Sequence, residues 1–334
     1  MSILHFIEGE VLAVSMRHDF KVIKENGGNV KSMTRKNTAG KILAALIVLT
    51  AVAVNHLPEA QATEGGGGAY PNGAQGFLAG ALPPPGFYFI EYLQHYSADA
   101  LMDGNGNKVP VPFKLNVSAA VNRFLYQSDV PLLGGHLGGY VFLPLVHASA
   151  DTGMGSGSKS GLGDIVTGPY IAWHFGKNLH MAAGIEITLP TGSYEKTELV
   201  NLGRNYWTFE PVFGVTYLTD GGVEFSGKFM YDINTENSDT DYKSGQEFHF
   251  DYAVGYHTGP WTLGAVGYYY KQITGDSGAG AVLGDYEGQV IAIGPGVRYD
   301  AKNGVGIEFR YNKEFEAENR TEGDKFWVNL VCKF

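Results

Sequence analysis

Glu247-Phe248-His249-Phe250-Asp251-Tyr252-Ala253-Val254-Gly255-Tyr256 decides the fold class. In an extended chain successive side chains point to opposite faces. Positions 248, 250, 252, 254 and 256 therefore make one aromatic and aliphatic face, and Glu247, His249 and Asp251 make the other. The same two-residue period recurs elsewhere. Leu115, Val117, Ala119 and Val121 alternate with Lys114, Asn116, Ser118 and Asn122, and Val305, Ile307, Phe309 and Tyr311 alternate with Glu308, Arg310 and Asn312. Such alternation is the signature of a strand with one apolar and one polar side.

Following that period outward predicts strands over 87–96, 114–125, 136–146, 164–175, 179–189, 206–218, 223–233, 246–256, 261–271, 287–299, 305–315 and 325–334. Most are close to the roughly 9–11 residues that a tilted strand needs to cross the hydrocarbon of a bilayer. A soluble sandwich alternates too, so the connections have to separate the two. Gly176-Lys177-Asn178, Thr219-Asp220-Gly221-Gly222, 257–260 and 300–304 are tight turns. They interleave with longer segments at 97–113, 147–163, 190–205, 234–245, 272–286 and 316–324, and 126–135 is a somewhat long turn on the short side. Short turns at one rim and long loops at the other characterise a membrane barrel. The expected fold is all-β: a transmembrane antiparallel up-and-down β-barrel of about 12 strands, with both ends on the short-turn side.

A charge facing lipid at the midplane costs about 2–4 kcal/mol, so the apolar parity should be nearly free of charge. Lys271 and Lys313 break that rule, but close to strand ends where a long stem reaches the interface. Trp173, Trp207, Tyr256 and Trp261 fall near strand ends, where aromatic girdles form.

Composition agrees. Of 334 residues 17% are charged, 13% are aromatic and 47 are Gly. That is too apolar for disorder, while a mean hydropathy of −0.10 is an average over lipid-facing and lumen-facing positions. The net charge is −10 and no basic cluster follows Lys41, which excludes a nucleic-acid partner. The single cysteine, Cys332, excludes an intrachain disulfide and a Cys-based zinc site.

Arg35, Lys36 and Lys41 precede an apolar run at 42–54 that is too short to span a bilayer, and Ala60-Gln61-Ala62 follows. A basic stretch, a short apolar run and a small-x-small site describe a cleaved secretory signal peptide. Residues 1–32 fit no part of it, so 1–62 reads as an upstream extension plus signal, with translation starting at Met33 and cleavage after Ala62. Residues 63–86 are Gly- and Pro-rich, including Pro83-Pro84-Pro85, and suit no ladder. They either hang free on the periplasmic side or fold back into the barrel as a plug. Residues 87–334 are the barrel, and the expected location is the Gram-negative outer membrane, with its lipid as surroundings.

Phe326, Val328, Leu330, Cys332 and Phe334 share one face at the end of the chain. This resembles the signal read by the barrel-assembly machinery, with Cys332 where an aromatic residue is usual. Further stretches resemble the outer-membrane family named for the MetA pathway of phenol degradation, whose members are regarded as transporters. They are Gly86-Phe87-Tyr88 with Tyr92 and Tyr96-Ser97-Ala98-Asp99, Ser160-Gly161-Leu162-Gly163-Asp164 with Pro169 and Trp173, and Leu189-Pro190-Thr191-Gly192-Ser193-Tyr194. Gly203-Arg204-Asn205-Tyr206-Trp207, Asn234 with Glu236-Asn237, Tyr242 with Ser244-Gly245, and Gly294-Pro295 with Tyr299 continue the series. The resemblance implies a barrel that admits small hydrophobic solutes and brings no catalytic residues with it.

Two motifs fall short of chemistry. Gly153–Ser160 approaches a phosphate loop, but Ser158 replaces the needed Gly and a strand follows where a helix is required. Asp103-Gly104-Asn105-Gly106-Asn107 begins like a calcium loop, but Lys108 stands where Gly belongs and Lys114 where the bidentate Glu belongs. No cofactor and no metal are expected. The polar parity gathers Glu186, Glu210, Glu224, Lys228, Asp232, Glu247, His249, Asp251, Arg298, Glu308 and Arg310, which are read as lumen lining and candidate pathway residues. A barrel of about 12 strands lies between filled eight-stranded barrels and open porins. Passive uptake of a small, hydrophobic aromatic solute is therefore expected, and not enzyme activity. The alternatives are a barrel enzyme using His249 with Asp251, and a structural or adhesive barrel acting through its outer loops.

Overall fold

The computed structural model describes residues 68–302 and 304–333, together with the backbone of four strands near the N-terminus. Those are β1 (Ser2–Ile7), β2 (Glu10–Arg17), β3 (Asp19–Asn26) and β4 (Asn29–Met33), which pair in sequence order as an antiparallel meander. The sequence reading assigned no structure to them. The proposed signal peptide and its cleavage site after Ala62 lie outside the described residues, as does Phe334.

From Gly86 onward the chain is strand after strand: β5 (Gly86–Leu101), β6 (Lys114–Leu132), β7 (Gly135–Asp151), β8 (Ser156–Leu162), β9 (Ile165–Phe175), β10 (Leu179–Leu189) and β11 (Thr208–Leu218). Then come β12 (Val223–Asn234), β13 (Glu247–Thr258), β14 (Trp261–Gln272), β15 (Gln289–Asp300), β16 (Gly306–Glu318) and β17 (Thr321–Lys333). Sequential neighbours pair antiparallel, except β8 with β9. β17 pairs with β5 from Lys333↔Tyr88 to Thr321↔Leu101, and β7 pairs with both β6 and β9. These pairings close a barrel of 12 strands and leave β8 as an extra strand on the upper half of β7.

Closure matters because a membrane offers no water to an unpaired edge. The outer wall is apolar, with Phe225, Phe229, Leu263, Ile293 and Phe309 among the exposed side chains. Near the short-turn rim Tyr126, Phe175, Tyr217, Tyr256 and Trp261 are exposed as well, at the level where amphipathic rings favour the interface. Such a continuous apolar girdle on a closed sheet is a lipid-facing surface. Lys313 does face outward, and it meets Asp324 across the strand pair at 3.0 Å.

The structure corrects the sequence reading in three places besides the expected loop at 147–163, which holds the end of β7 and all of β8. The stretch at 126–135 is no long turn, because β6 and β7 continue as a hairpin to Leu133-Gly134, whose φ angles of 50° and 79° form a left-handed two-residue turn. The segment at 316–324 is no loop either: β16 and β17 run on to a turn at Asn319-Arg320. The third correction concerns β6. Arg123, Leu125 and Gln127 are buried while Phe124 and Tyr126 are exposed, so Leu115, Val117, Ala119 and Val121 face inward and Asn116, Ser118 and Asn122 outward. The physical reason is local. At the loop rim Leu115 and Val117 cover Ala148, Ala150 and Val200, and Val121 packs on a core that includes Tyr92 and Tyr140. Outside, Ser118 meets His95 at 3.0 Å and Asn116 accepts from Ser97 at 3.1 Å.

Candidate functional site

The lumen is occupied by the chain itself. Residues 68–85 run down the interior from the loop rim to the start of β5. They carry no regular ladder, so their backbone groups need partners from the wall. The wall supplies them. Asp251 accepts from Gly73 N at 2.7 Å, Gln75 N at 2.9 Å and Tyr70 Oη at 2.7 Å. Glu308 accepts from Phe77 N at 3.2 Å, Glu224 from Leu78 N at 2.5 Å and Thr216 from Gly80 N at 2.9 Å. Carbonyls are matched by cations and amides: Arg310 donates to Ala74 O at 2.8 Å, Lys325 to Asn72 O at 2.9 Å and Asn329 to Ala74 O at 3.2 Å. Arg204, from the loop between β10 and β11, donates to Gly68 O. Hydrogen bonds to charged groups are the stronger class, so the plug is held by chemistry as well as shape.

Shape contributes where glycines meet. An added Cβ on Gly80 would lie 2.5 Å from the Val215 backbone, and one on Gly214 would lie 3.0 Å from Ala79 O. The ring of Phe77 fills a notch over Gly255 and Gly296 and packs with Ala253 and Val266. Residues 63–86, for which the sequence permitted two placements, thus act as a plug over their described part.

The eleven residues expected to line the lumen all point inward, and ten of them are buried; Arg298 is partly so. They separate into four groups. Asp251, Glu224, Glu308 and Arg310 grip the plug. Glu186 and Lys228 pair at 2.9 Å, with Tyr140 donating to Glu186 at 2.6 Å. Arg298 binds Asp300 at 2.6 Å and Glu308 at 3.4 Å. Glu210, Asp232 and His249 bring one donor atom each to within 4.8 Å of one another, with Glu247 opposite Asp232 on the next strand. His249 and Asp251 follow the same inward parity but have different partners: Asp251 is engaged by the plug.

Between the plug and β7, β9, β10 and β11 lies a cavity of about 40 Å³, lined by residues including Gln75, Leu82, Arg123, Tyr140, Tyr170 and Val212. That holds a few waters at most. Arg123 lies over the Tyr140 ring at 4.2 Å and donates to Tyr92 at 3.1 Å. The sequence reading missed Arg123, Glu314, Arg320 and Lys325. Arg123 was lost with the inverted parity of β6. Lys325 lies on the same inward face as Trp327 and Asn329 and was legible from that register.

Above the plug the loops are tied together by residues of the resemblance. Asp164 accepts from Gly192 N and Arg204 N, each at 2.8 Å. Asn237 donates to Tyr194 at 2.9 Å and accepts from Asn205 at 2.9 Å. Gly192 and Gly203 approach so closely that a Cβ on either would fall within 2.7 Å of the other's backbone. Of the two failed motifs, Gly153–Ser160 leads into the strand β8, and Asp103 caps its own turn by accepting from Asn105 N and Asn107 N at 2.9 Å each.

The outer membrane channel of Pseudomonas putida F1 designated COG4313 superposes with a TM-score of 0.69 at 17% identity, over 77% of this chain and 98% of that one. The translocator domain of the autotransporter NalP from Neisseria meningitidis reaches 0.46 at 12% identity, over 76% and 91%. The CymD monoaromatic hydrocarbon channel reaches 0.40 at 11%, over 81% and 96%. The first of these establishes a shared fold. No functionally curated protein matches the chain. The family profile described as "Putative MetA-pathway of phenol degradation" matches residues 98–330, most of the barrel, and the chain therefore belongs to that family.

Proposed function

We propose that this protein is an outer-membrane channel for the passive uptake of small, hydrophobic aromatic solutes. The observation that carries the reading is the plugged lumen. A cavity of about 40 Å³ beside a hydrogen-bonded plug is no open aqueous pore, so bulk hydrophilic diffusion is a poor fit. Tyr140, Tyr170, Leu82 and Val212 give that cavity aromatic and aliphatic surface beside the charged Arg123, Glu186 and Lys228, a mix of apolar wall and a few polar groups that suits an aromatic ring. Membership of a family named for phenol degradation and a shared fold with a solved outer membrane channel support the same reading. The eleven lumen residues serve as the pathway lining, and those bound to the plug set how readily it yields.

Export follows from the sequence. Residues 33–62 act as a cleaved signal peptide, and the barrel-assembly machinery recognises the strand that ends in Phe334. The N-terminal mass of protein extracted from outer membranes tests the first point, with Thr63 as the expected first residue.

The decisive experiment is permeability of proteoliposomes to phenols, aromatic acids and alkanes, with and without residues 68–85. Uptake of aromatic solutes by the intact protein, increased by the deletion, is the expected result. A deletion variant that folds as a barrel and stays impermeable to all of them overturns the reading.

A further inference from the structure

Nearly every carboxylate buried in the lumen has a partner that compensates it. Glu186 has Lys228 and Tyr140. Glu224 has His257 at 2.6 Å and the plug. Asp251 has three plug donors. Glu308 has Arg310 and Arg298. Glu314 accepts from Tyr96 and Tyr268, each at 2.7 Å, and from Gly323 N at 2.8 Å.

Glu210, Asp232 and Glu247 are the exception. They project from three adjacent strands, β11, β12 and β13, at one level of the barrel, and none is more than 2% exposed. Neither oxygen of Asp232 has a hydrogen-bond partner, nor has Glu210 Oε1 or Glu247 Oε2. His249, 1% exposed, is in the same position at both ring nitrogens, and its Nε2 stands 3.3 Å from Asp232 Oδ2. Positive charge nearby is sparse: Lys228 is 4.0 Å from Glu210 but committed to Glu186, and Arg204 acts on Asp232 and Glu247 while donating to Gly68 O. Three carboxylates and an imidazole, buried and aimed at one point with only the neutral donors Asn234 and Tyr270 reaching Glu247, make a costly arrangement unless a cation completes it.

We propose that Glu210, Asp232 and His249, with Glu247 as a fourth or outer ligand, bind one divalent first-row transition ion of the zinc type. An imidazole nitrogen among carboxylate oxygens favours such ions over calcium and magnesium, which prefer all-oxygen sets. Donor atoms up to 4.8 Å apart need to close by about an ångström around bonds of roughly 2.0–2.2 Å, within the reach of a Glu rotamer. The surroundings suit a ligand set. Asn234 donates to Glu247 Oε1 at 3.2 Å, fixing that carboxylate, and the Tyr70 ring lies 5.4 Å from that of His249. The plug roofs the site, since a Cβ on Gly68 would fall 2.4 Å from Glu247 Oε2. The bound ion therefore sits against the plug, whatever solute the channel passes.

The test uses full-length protein in detergent, stripped with chelator and dialysed. Zn²⁺ is then titrated by equilibrium dialysis, and Co²⁺ by its visible absorption. The expected result is one ion per chain, with affinity reduced at least about tenfold in His249→Gln and in Asp232→Asn. Each variant is first shown to keep the heat-dependent gel mobility of a folded barrel, and the conservative pair guards against loss of folding in either one. The exposed His174–His180 pair, with Nδ1 atoms 2.8 Å apart, is the competing site. Stoichiometry unchanged in His174→Ala/His180→Ala supports the buried site. Binding lost in that variant, binding unaltered in both buried variants, or no ion bound by the folded protein at about a hundredfold excess over a micromolar Kd overturns the proposal.

Discussion

The Asp251 carboxylate accepts the backbone N–H of Gly73 at 2.7 Å across 178 positions of sequence. Asp251 belongs to the strand pattern and Gly73 to a segment with no pattern at all. Their meeting turns a hollow barrel into a closed one, because the same carboxylate also takes Gln75 N and Tyr70 Oη.

Asp251→Ala is therefore expected to loosen the plug. It leaves the buried N–H of Gly73 without an acceptor, worth about 1–3 kcal/mol, and the part-buried N–H of Gln75 as well. Single-channel conductance should rise and protease should cut within residues 68–85, while Asp251→Asn, which keeps a carbonyl acceptor, should show a smaller change. Conductance equal to the wild type in Asp251→Ala would contradict the assigned role.

Close backbone contact makes a second prediction. Gly80→Val places a side chain 2.5 Å from the Val215 backbone, and overpacking of this kind costs about 1–3 kcal/mol. The plug, which belongs to no strand ladder, should give way first, raising liposome permeability without lowering the barrel's resistance to heat. Gly155→Ala, with open space around it, should change neither measurement.

The inverted face of β6 is testable by a pair of substitutions. Val117→Asp puts a charge against Ala148, Ala150 and Val200 and should destabilise the loop rim by about 1–3 kcal/mol, seen as a lower urea midpoint. Ser118→Ala removes only an exposed contact with His95 and should be nearly neutral. The opposite order of effects would mean that Val117 faces out.

Acid should open the turn at Asp103. The N–H groups of Asn107 and Asn105 hold its carboxyl below the usual range. A lowered value in the folded protein contributes order that is complete above the unfolded value, about 3.9, and is lost as pH falls through the folded one. Protection of the Asn105 and Asn107 amides, measured against the intrinsic exchange rate at each pH, should therefore hold near neutrality and fall away below about pH 4; protection insensitive to acid in that window would remove Asp103 as the cap.

Much of the wall was legible from local pattern. The strand cores, the tight turns at 176–178 and 219–222, and the inward direction of His249 and Glu308 follow from a period of two, which is a property of extended backbone and needs no partner. The reading failed where two parities were both plausible. Asn116 and Ser118 look like lumen residues until one sees that this end of β6 rises to the loop rim, where Leu115 and Val117 have a core to cover and the polar side chains meet others across the sheet.

Sequence alone determined a closed, lipid-facing sheet of 12 strands with an acidic and basic interior, because alternation and turn rhythm are encoded residue by residue. Tertiary structure alone decided that residues 68–85 fill that interior, which carboxylates grip them, and that Glu210, Asp232, Glu247 and His249 converge with unpaired atoms on each. Those facts depend on which strands stand side by side after closure, and on backbone N–H groups that every residue but proline carries alike, so no composition or spacing marks them in advance.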